Sequence, residues 1–252
     1  GGVSTGSKSV LTINLNRCVQ QARRENRPYM EYLAEVVDLT HKVQTAYNEN
    51  LKYLMEKGML PLFDAGFIAI NRQYLTIGIN GLVEAAEFMG IEINDNPRYQ
   101  AFVEEILGLI EKYNKQYRTK ELMFNCEMIP AENCAGVICT ADNLLYEQNK
   151  YFIYSNQWIP LTEQCTIQEK CRLGSLFDKQ CGGGCIAHID IENRFTTKEE
   201  AWNMLNYVAS KGVIYFAFTT KISVCEDKHA FIGTQTCPRC GKPVADQYAR
   251  VV

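Results

Sequence analysis

Residues Tyr29 to Lys57 carry Leu33, Val36, Val37, Leu39, Val43, Tyr47, Leu51 and Leu54 at helical spacing, and Gly58 stops the run. The spacing predicts one long helix, and a second opens at Asn96-Pro97 and runs to about Tyr117. Helices of this length need a broad apolar surface to cover. Short β-rich runs alternate with them: Val10 to Leu15 (VLTINL), Leu122 to Cys126, Cys185 to Ile191 (CIAHIDI) and Val213 to Thr219 (VIYFAFT). Strand, long helix, strand, long helix is the rhythm of an α/β fold with parallel strands, and large helices around such strands indicate a barrel or part of one. No internal repeat of fixed period is present.

Shorter elements fill the intervals. Asn16 to Arg24 reads as helix and is broken at Arg27-Pro28. Leu60 to Phe63 reads as extended, Asn80 to Met89 as a short helix ended by Gly90, and Pro130 to Gly136 as a loop turning into a helix. Tyr151 to Ser155 reads as extended, Thr162 to Leu173 as helical, and Thr197 to Lys211 as an amphipathic helix. The final 30 or so residues are polar, with clustered Cys and His, and form a small appendage.

A chain of 252 residues, 46% hydrophobic and 22% charged, is long enough for a sizeable core. Its net charge of -3 excludes general attraction to nucleic acid or an anionic membrane. No apolar run approaches the roughly 20 residues of a membrane helix. There is neither a signal peptide nor an initiator Met, so the sequence reads as part of something longer. Eleven cysteines at irregular spacings do not make a secreted disulfide framework. They indicate a reducing cytoplasm.

The appendage carries the sharpest chemical signal. Cys237-x-x-Cys240 followed by Gly241 is the turn of a zinc knuckle, and Cys225 and His229 supply a C-x3-H pair. Two paired units this close favour one tetrahedral Zn²⁺ held by Cys225, His229, Cys237 and Cys240. Four protein ligands leave no open coordination position, so the site is expected to be structural. Most other cysteines read as small core residues. Cys181 and Cys185, flanking Gly182 to Gly184, are the candidate redox pair, with a plain tight turn as the alternative. His41 is expected to be solvated on its helix and His188 to be a satisfied core histidine.

Several stretches, in this order, resemble class III anaerobic ribonucleotide reductases. They are Gly1 to Gly6 with Leu11-Thr-Ile-Asn-Leu-Asn-Arg17, and Tyr74 to Gly81 with Glu84-Ala-Ala-Glu-Phe88. Glu127-Met-Ile-Pro-Ala-Glu-Asn133, Tyr154-Ser-Asn-Gln157 and Gly182 to Gly184 follow, then the zinc segment running into Tyr248-Ala-Arg-Val-Val252. The resemblance implies the C-terminal part of a ten-stranded α/β barrel of the glycyl-radical-enzyme type. Residues 1–220 are expected to form that portion, and 221–252 a zinc module leading to the radical loop. The implied activity is reduction of ribonucleoside triphosphates to deoxyribonucleotides in the cytoplasm, in a homodimer. A separate iron–sulfur activase using S-adenosylmethionine installs the glycyl radical, which passes to a cysteine thiyl. Both radical-bearing residues, and the N-terminal nucleotide-binding region, fall outside this chain, so an N-terminal part or partner chain is implied.

Within that reading, Pro130, Ala131 and Asn133 lie where a helix N-terminus can take a nucleotide phosphate. Glu132 either works on the ribose hydroxyls or caps the helix. Ser155, Asn156 and Gln157 are expected to end a strand, where barrels place their chemistry. Asn156 is the second candidate catalytic residue beside Glu132, and Ser155 and Gln157 are candidate substrate contacts. Gly182, Gly183 and Gly184 allow close approach of a ligand. The competing readings are a formate-lyase-type glycyl-radical enzyme, which usually lacks the zinc module, and a zinc-ribbon interaction or nucleic-acid-binding protein, whose basic residues here, Lys221, Lys228, Arg239, Lys242 and Arg250, are offset by Glu226, Asp227 and Asp246.

Overall fold

The computed structural model describes residues 6–130, 132–191 and 195–248, without the side chain of Glu132. Residues 1–5, 131, 192–194 and 249–252 lie outside it. Ala131, and the ends of the first and last family-like stretches, therefore fall outside the described residues.

Strand β1 (Gly6–Asn14) runs directly into α1 (Leu15–Arg24). Asn14 caps that helix, its side chain accepting a hydrogen bond from the N–H of Arg17. Then come α2 (Tyr29–Glu56), a single turn α3 (Pro61–Asp64), β2 (Gln73–Asn80), α4 (Leu82–Phe88), α5 (Pro97–Tyr117) and β3 (Met123–Met128). The three strands form one parallel sheet in the order β1-β2-β3. Parallel strands need long crossovers, and the two long helices sit within those crossovers. Leu75, Ile77 and Ile79 of β2 and Phe124, Cys126 and Met128 of β3 join Leu33 and Val37 of α2 and Val103, Ile106 and Ile110 of α5 in the main core. Each such side chain contributes about 1.5–3 kcal/mol by leaving water. The period of two turns Thr76, Gly78 and Asn80 of β2, and Asn125 and Glu127 of β3, to the opposite face.

Next come α6 (Glu132–Leu145), α7 (Ile167–Phe177), β4 (Ala187–Asp190), α8 (Lys198–Ser210) and β5 (Phe216–Thr219). β4 and β5 are again parallel, and an isolated parallel bridge joins Glu127 to Gly184, ahead of β4. Capping boxes at Thr166/Glu169 and Thr197/Glu200 start α7 and α8. The chain ends in an antiparallel sheet, with β6 (Ile222–Cys225) between β7 (Ala230–Phe231) and β8 (Val244–Tyr248). No helix among the described residues is long and apolar enough to cross a membrane.

Several expectations need correction. Leu60 to Phe63 is not extended. Pro61 presets a helical φ at the first position of α3, and Phe63 and Asp64 donate back to the Leu60 carbonyl. The helix expected from Asn80 begins at Leu82, because Asn80 closes β2 and Gly81 takes a left-handed turn at φ 73°. Residues 151–157 contain no strand. Their backbone groups are met by side chains instead: Tyr151 O by the Asn143 amide at 2.8 Å, and Ser155 N by Glu84 at 2.7 Å. His41 is fully buried rather than solvated. One ring nitrogen meets Asn114 Oδ1 at 2.9 Å, and Tyr117 and Phe124 flank the ring, because α2 is covered by α5 on that side.

A buried polar knot fastens α6 to the start of α1. The fully buried Asp142 carboxylate accepts from Arg17 Nε at 2.6 Å, Asn14 Nδ2 at 2.7 Å and the Tyr154 hydroxyl at 2.6 Å. Arg17 keeps access to water, so deleting Asp142 takes the acceptor from the Asn14 amide rather than stranding a buried charge, and leaves the Tyr154 hydroxyl with only the longer bond to Asn149 Oδ1 at 3.3 Å to donate to. Asp142→Ala is expected to cost about 2–3 kcal/mol in urea denaturation. Arg17→Met leaves the fully buried Asp142 carboxylate without its cation and is expected to cost about 3 kcal/mol, with the double variant losing less than the sum of the two. Additive losses would show that the charge pair does not hold α6.

Candidate functional site

Two tight turns build the metal-ligand cluster. In the first, Lys228 N donates to Cys225 O at 2.8 Å and Cys225 N to His229 O at 3.2 Å, so Cys225 and His229 face the same way. In the second, Gly241 N donates to Cys237 O at 2.8 Å and Cys237 N to Lys242 O at 2.7 Å. Gln235 O, accepting from Val244 N at 3.2 Å, closes the base of that turn. The ligand atoms of Cys225, His229, Cys237 and Cys240 all lie within 4.8 Å of one another. Cys225 Sγ is 3.7 Å from Cys240 Sγ, and Cys237 Sγ is 3.7 Å from His229 Nδ1. Bonds of about 2.3 Å to a tetrahedral ion give ligand–ligand edges of about 3.8 Å, so the quartet fits a metal of zinc's size.

Electrostatics at the quartet favour a thiolate. Burial pushes the Cys237 thiol up, but the N–H groups of Arg239 and Cys240 and hydrogen bonds from Cys240 and His229 outweigh it, bringing it to about 6. At Cys240 the N–H of Lys242 pulls down, but burial and the neighbouring thiols of Cys237 and Cys225 carry it to about 11. Lys242 ties the turns together from outside, 2.6 Å from Asp227 and 3.8 Å from Glu226.

A second constellation gathers where β3 delivers the chain to α6. Asn125 and Glu127 stand on the sheet face opposite the core, and Thr76 Oγ1 donates to Asn125 Oδ1 at 2.7 Å. The glycine loop lies over these residues. Gly183 N donates to Cys126 O at 2.8 Å and Met128 N to Gly184 O at 3.1 Å. A Cβ on Gly183 would sit 2.7 Å from Glu127 Cβ, so only glycine allows this approach. Gly182 and Gly183 remain exposed. Pro130 and Asn133, at the N-terminus of α6, are also exposed; Ala131 and the Glu132 side chain are outside the described residues.

Ser155, Asn156 and Gln157 are all buried. Gln157 Oε1 accepts from the N–H of His188 in β4 at 3.0 Å, and its amide donates to Asn156 Oδ1 at 2.9 Å. The glycine loop is thus tied to β3 through the backbone, and the amide segment to β4 through the Gln157 side chain.

Two carboxylates, each opening a family-like stretch, were given no chemical role by the sequence. Glu84, in the first turn of α4, is 4% exposed; its Oε1 takes the Ser155 N–H, and its Oε2 has no hydrogen-bond partner among the described residues. Burial pushes it up to about 8. Burial likewise raises Glu127 above the usual carboxylate range. Neither has a nearby cation to reveal it in a linear sequence. The thiols behave differently from the expected pairing. Cys181 is held first by the thiol of Cys126 and then by burial, both raising it, and burial raises Cys185. All three are buried, and the raised thiols of Cys181 and Cys185 are poor nucleophiles.

A family model for the anaerobic ribonucleoside-triphosphate reductase matches residues 1–252. No curated protein sequence matches. Among solved structures, an anaerobic ribonucleotide reductase is 37% identical with a TM-score of 0.84, covering 98% of this chain and 40% of its own. The anaerobic ribonucleotide reductase of Thermotoga maritima with MES in the active site is 37% identical with a TM-score of 0.84, covering 100% of this chain and 44% of its own. The same enzyme in complex with dATP and CTP is 37% identical with a TM-score of 0.82, covering 99% and 42%. The chain thus spans about two fifths of the structures it matches.

The Glu84 carboxyl sets a pH dependence. Its folded value is above its unfolded one, so the folded protein keeps a proton that the unfolded chain releases from about pH 4.5 upward. Its contribution is fullest below pH 4.5, falls as pH rises, and levels off beyond about pH 8. The fall approaches 1.4 kcal/mol per pH unit at most. Urea midpoints from pH 5 to 8 are expected to decline in the parent more steeply than in Glu84→Gln. Parallel slopes in the two proteins would remove the buried neutral acid from the account.

Proposed function

The chain belongs to the anaerobic ribonucleoside-triphosphate reductase family, and on that premise we propose that it is the C-terminal part of an enzyme reducing ribonucleoside triphosphates to deoxyribonucleotides. The observation that carries this is the family match along all 252 residues, with 37% identity to a reductase of the same fold. In this reading β1 to β5 are half of a ten-stranded barrel contributed by residues 1–220, and residues 221–252 are a zinc module. The free cysteines and the absence of a membrane-crossing helix among the described residues are consistent with a cytoplasmic enzyme.

A glycyl radical, installed by an iron–sulfur activase using S-adenosylmethionine, supplies hydrogen abstraction through a cysteine thiyl. In this reading both radical residues belong to parts of the enzyme beyond residues 1–252, and the whole enzyme is a homodimer. The residues present bind and prepare the nucleotide. The N–H groups of Glu132 and Asn133, at the positive end of α6, take phosphate. Ser155, Asn156 and Gln157 hold the ribose hydroxyls or the reductant. Gly182 to Gly184 lie directly against β3 beside Glu127, and the exposed backbone of Gly182 and Gly183 lets a ligand approach closely there. Burial raises the proton affinity of the Glu127 carboxyl, which suits it to hold and pass the proton that loss of the 2′-hydroxyl as water requires. Glu132 shares that task or caps α6.

Cys225, His229, Cys237 and Cys240 hold Zn²⁺ in this reading, and with no open position the ion acts by fixing the base of the radical loop. The test uses the full-length enzyme with its activase. Cys237→Ser is expected to lose its zinc by elemental analysis and its glycyl radical by electron paramagnetic resonance. A normal radical yield in a folded, metal-free variant contradicts the role given to zinc. Glu127→Gln is expected to form the radical normally but to make deoxyribonucleotide at least about 100-fold more slowly. Unchanged turnover removes Glu127 from the proton chemistry.

A further inference from the structure

Glu84 opens a family-like stretch with no chemical role legible in the sequence, yet one hydrogen bond that it accepts orders the segment carrying two candidate substrate contacts and the catalytic candidate Asn156. The Ser155–Gln157 segment has no ladder to hold it. Ser155 N goes to Glu84 Oε1 at 2.7 Å, Gln157 N to Ser155 Oγ at 3.2 Å, and Gln157 Oε1 accepts His188 N at 3.0 Å. This is a relay from α4 through the segment into β4. The far carboxyl oxygen of Glu84 is buried with no hydrogen-bond partner among the described residues.

The groups facing Glu84 cannot compensate a charge. On its own helix there is Glu87, whose carboxylate accepts from the Tyr151 hydroxyl at 2.6 Å. From α5 comes Tyr99, from α6 Cys139, and from the 151–157 segment Tyr151; Glu84 raises all three. Arg23 of α1 is turned to the far end of α4, where it stacks on Phe88. A carboxylate here would be desolvated and uncompensated, and letting water in by moving the irregular segment relieves that cost.

We propose that neutral Glu84 is the positioning residue of the Ser155–Gln157 segment, and that nucleotide binding there requires its carboxyl to stay uncharged. This rests on the reading above that the segment contacts the nucleotide.

The experiment uses the full-length protein, with CTP as the probe. Hydrogen-exchange protection of residues 151–158, corrected for the intrinsic pH dependence of exchange, is followed from pH 6.5 to 9.5 beside CTP affinity by calorimetry. In the parent both are expected to fall about tenfold between pH 7 and pH 9, the loss of protonated form for a group titrating near pH 8. Glu84→Gln offers the same carbonyl oxygen to Ser155 and has no proton to lose, so its protection and affinity stay level across that range. Glu84→Leu loses protection at every pH. A flat profile in the parent, or the same alkaline fall in Glu84→Gln, overturns the positioning role. Protection that follows Glu84 while CTP affinity ignores it keeps the positioning and overturns the substrate contact instead.

Discussion

Parallel pairing of β1, β2 and β3 sets Asn14 opposite Asn80 and Ile79 opposite Met128, so all three strands release their chains at one edge of the sheet. Much else follows from that register. The α1 cap, the left-handed turn at Gly81 and the entry to α6 are brought to a common edge. A Cβ on Gly81 would lie 3.2 Å from Tyr154 and 3.3 Å from Asn14 Oδ1, which shows how closely the three exits are packed. A slip of one residue would exchange the two sheet faces. Leu75, Ile77 and Ile79 would leave the cover of α2 and α5, and Thr76 and Asn125 would enter the core.

How much of this is legible depends on how local the signal is. α2 and α5 are readable because half-buried helices show their periodicity. Asn96-Pro97 marks its helix start because proline's constraint and the Asn cap act within one turn. β2 was harder to place. Seven of its eight residues are buried, so polar and apolar side chains do not alternate, and Thr76 and Asn80 look like loop residues. His41 was misjudged because α2 is buried on a polar stripe as well, with Gln44 donating to Thr76 O at 2.9 Å. Residues 151–157 look like a strand because they are apolar and aromatic, but only the tertiary structure shows that no neighbouring strand accepts them.

The same division separates the two sites. The ligand quartet spans Cys225 to Cys240, and its spacing alone implies convergence. Glu84 and Glu127 could not be found that way, since what distinguishes them is burial without a cation, supplied by residues far away in sequence. Buried polar atoms without partners are costly, and a core selected for stability alone would replace them. Glu84 Oε2, Asn80 Oδ1 and Asn156 Nδ2 have no hydrogen-bond partner among the described residues, and neither do the amide oxygens of Asn16 and Gln20 on α1 and of Gln44 and Asn48 on α2.

The C-terminal module is organised by the opposite principle. Its apolar core amounts to Cys225, Phe231 and Cys237 with Val244 at the margin, and two of these four are members of the ligand quartet. So small a core cannot offset the ordering entropy of two turns and three short strands. Removing the ion would also leave a Cys237 thiol that readily ionises facing other thiols. In the proposed enzyme the free energy of metal binding is therefore largely folding free energy for this segment. The order of residues 222–248 would then depend on the ion more than on packing against α1 to α8, and a radical loop anchored there would inherit its position from the metal.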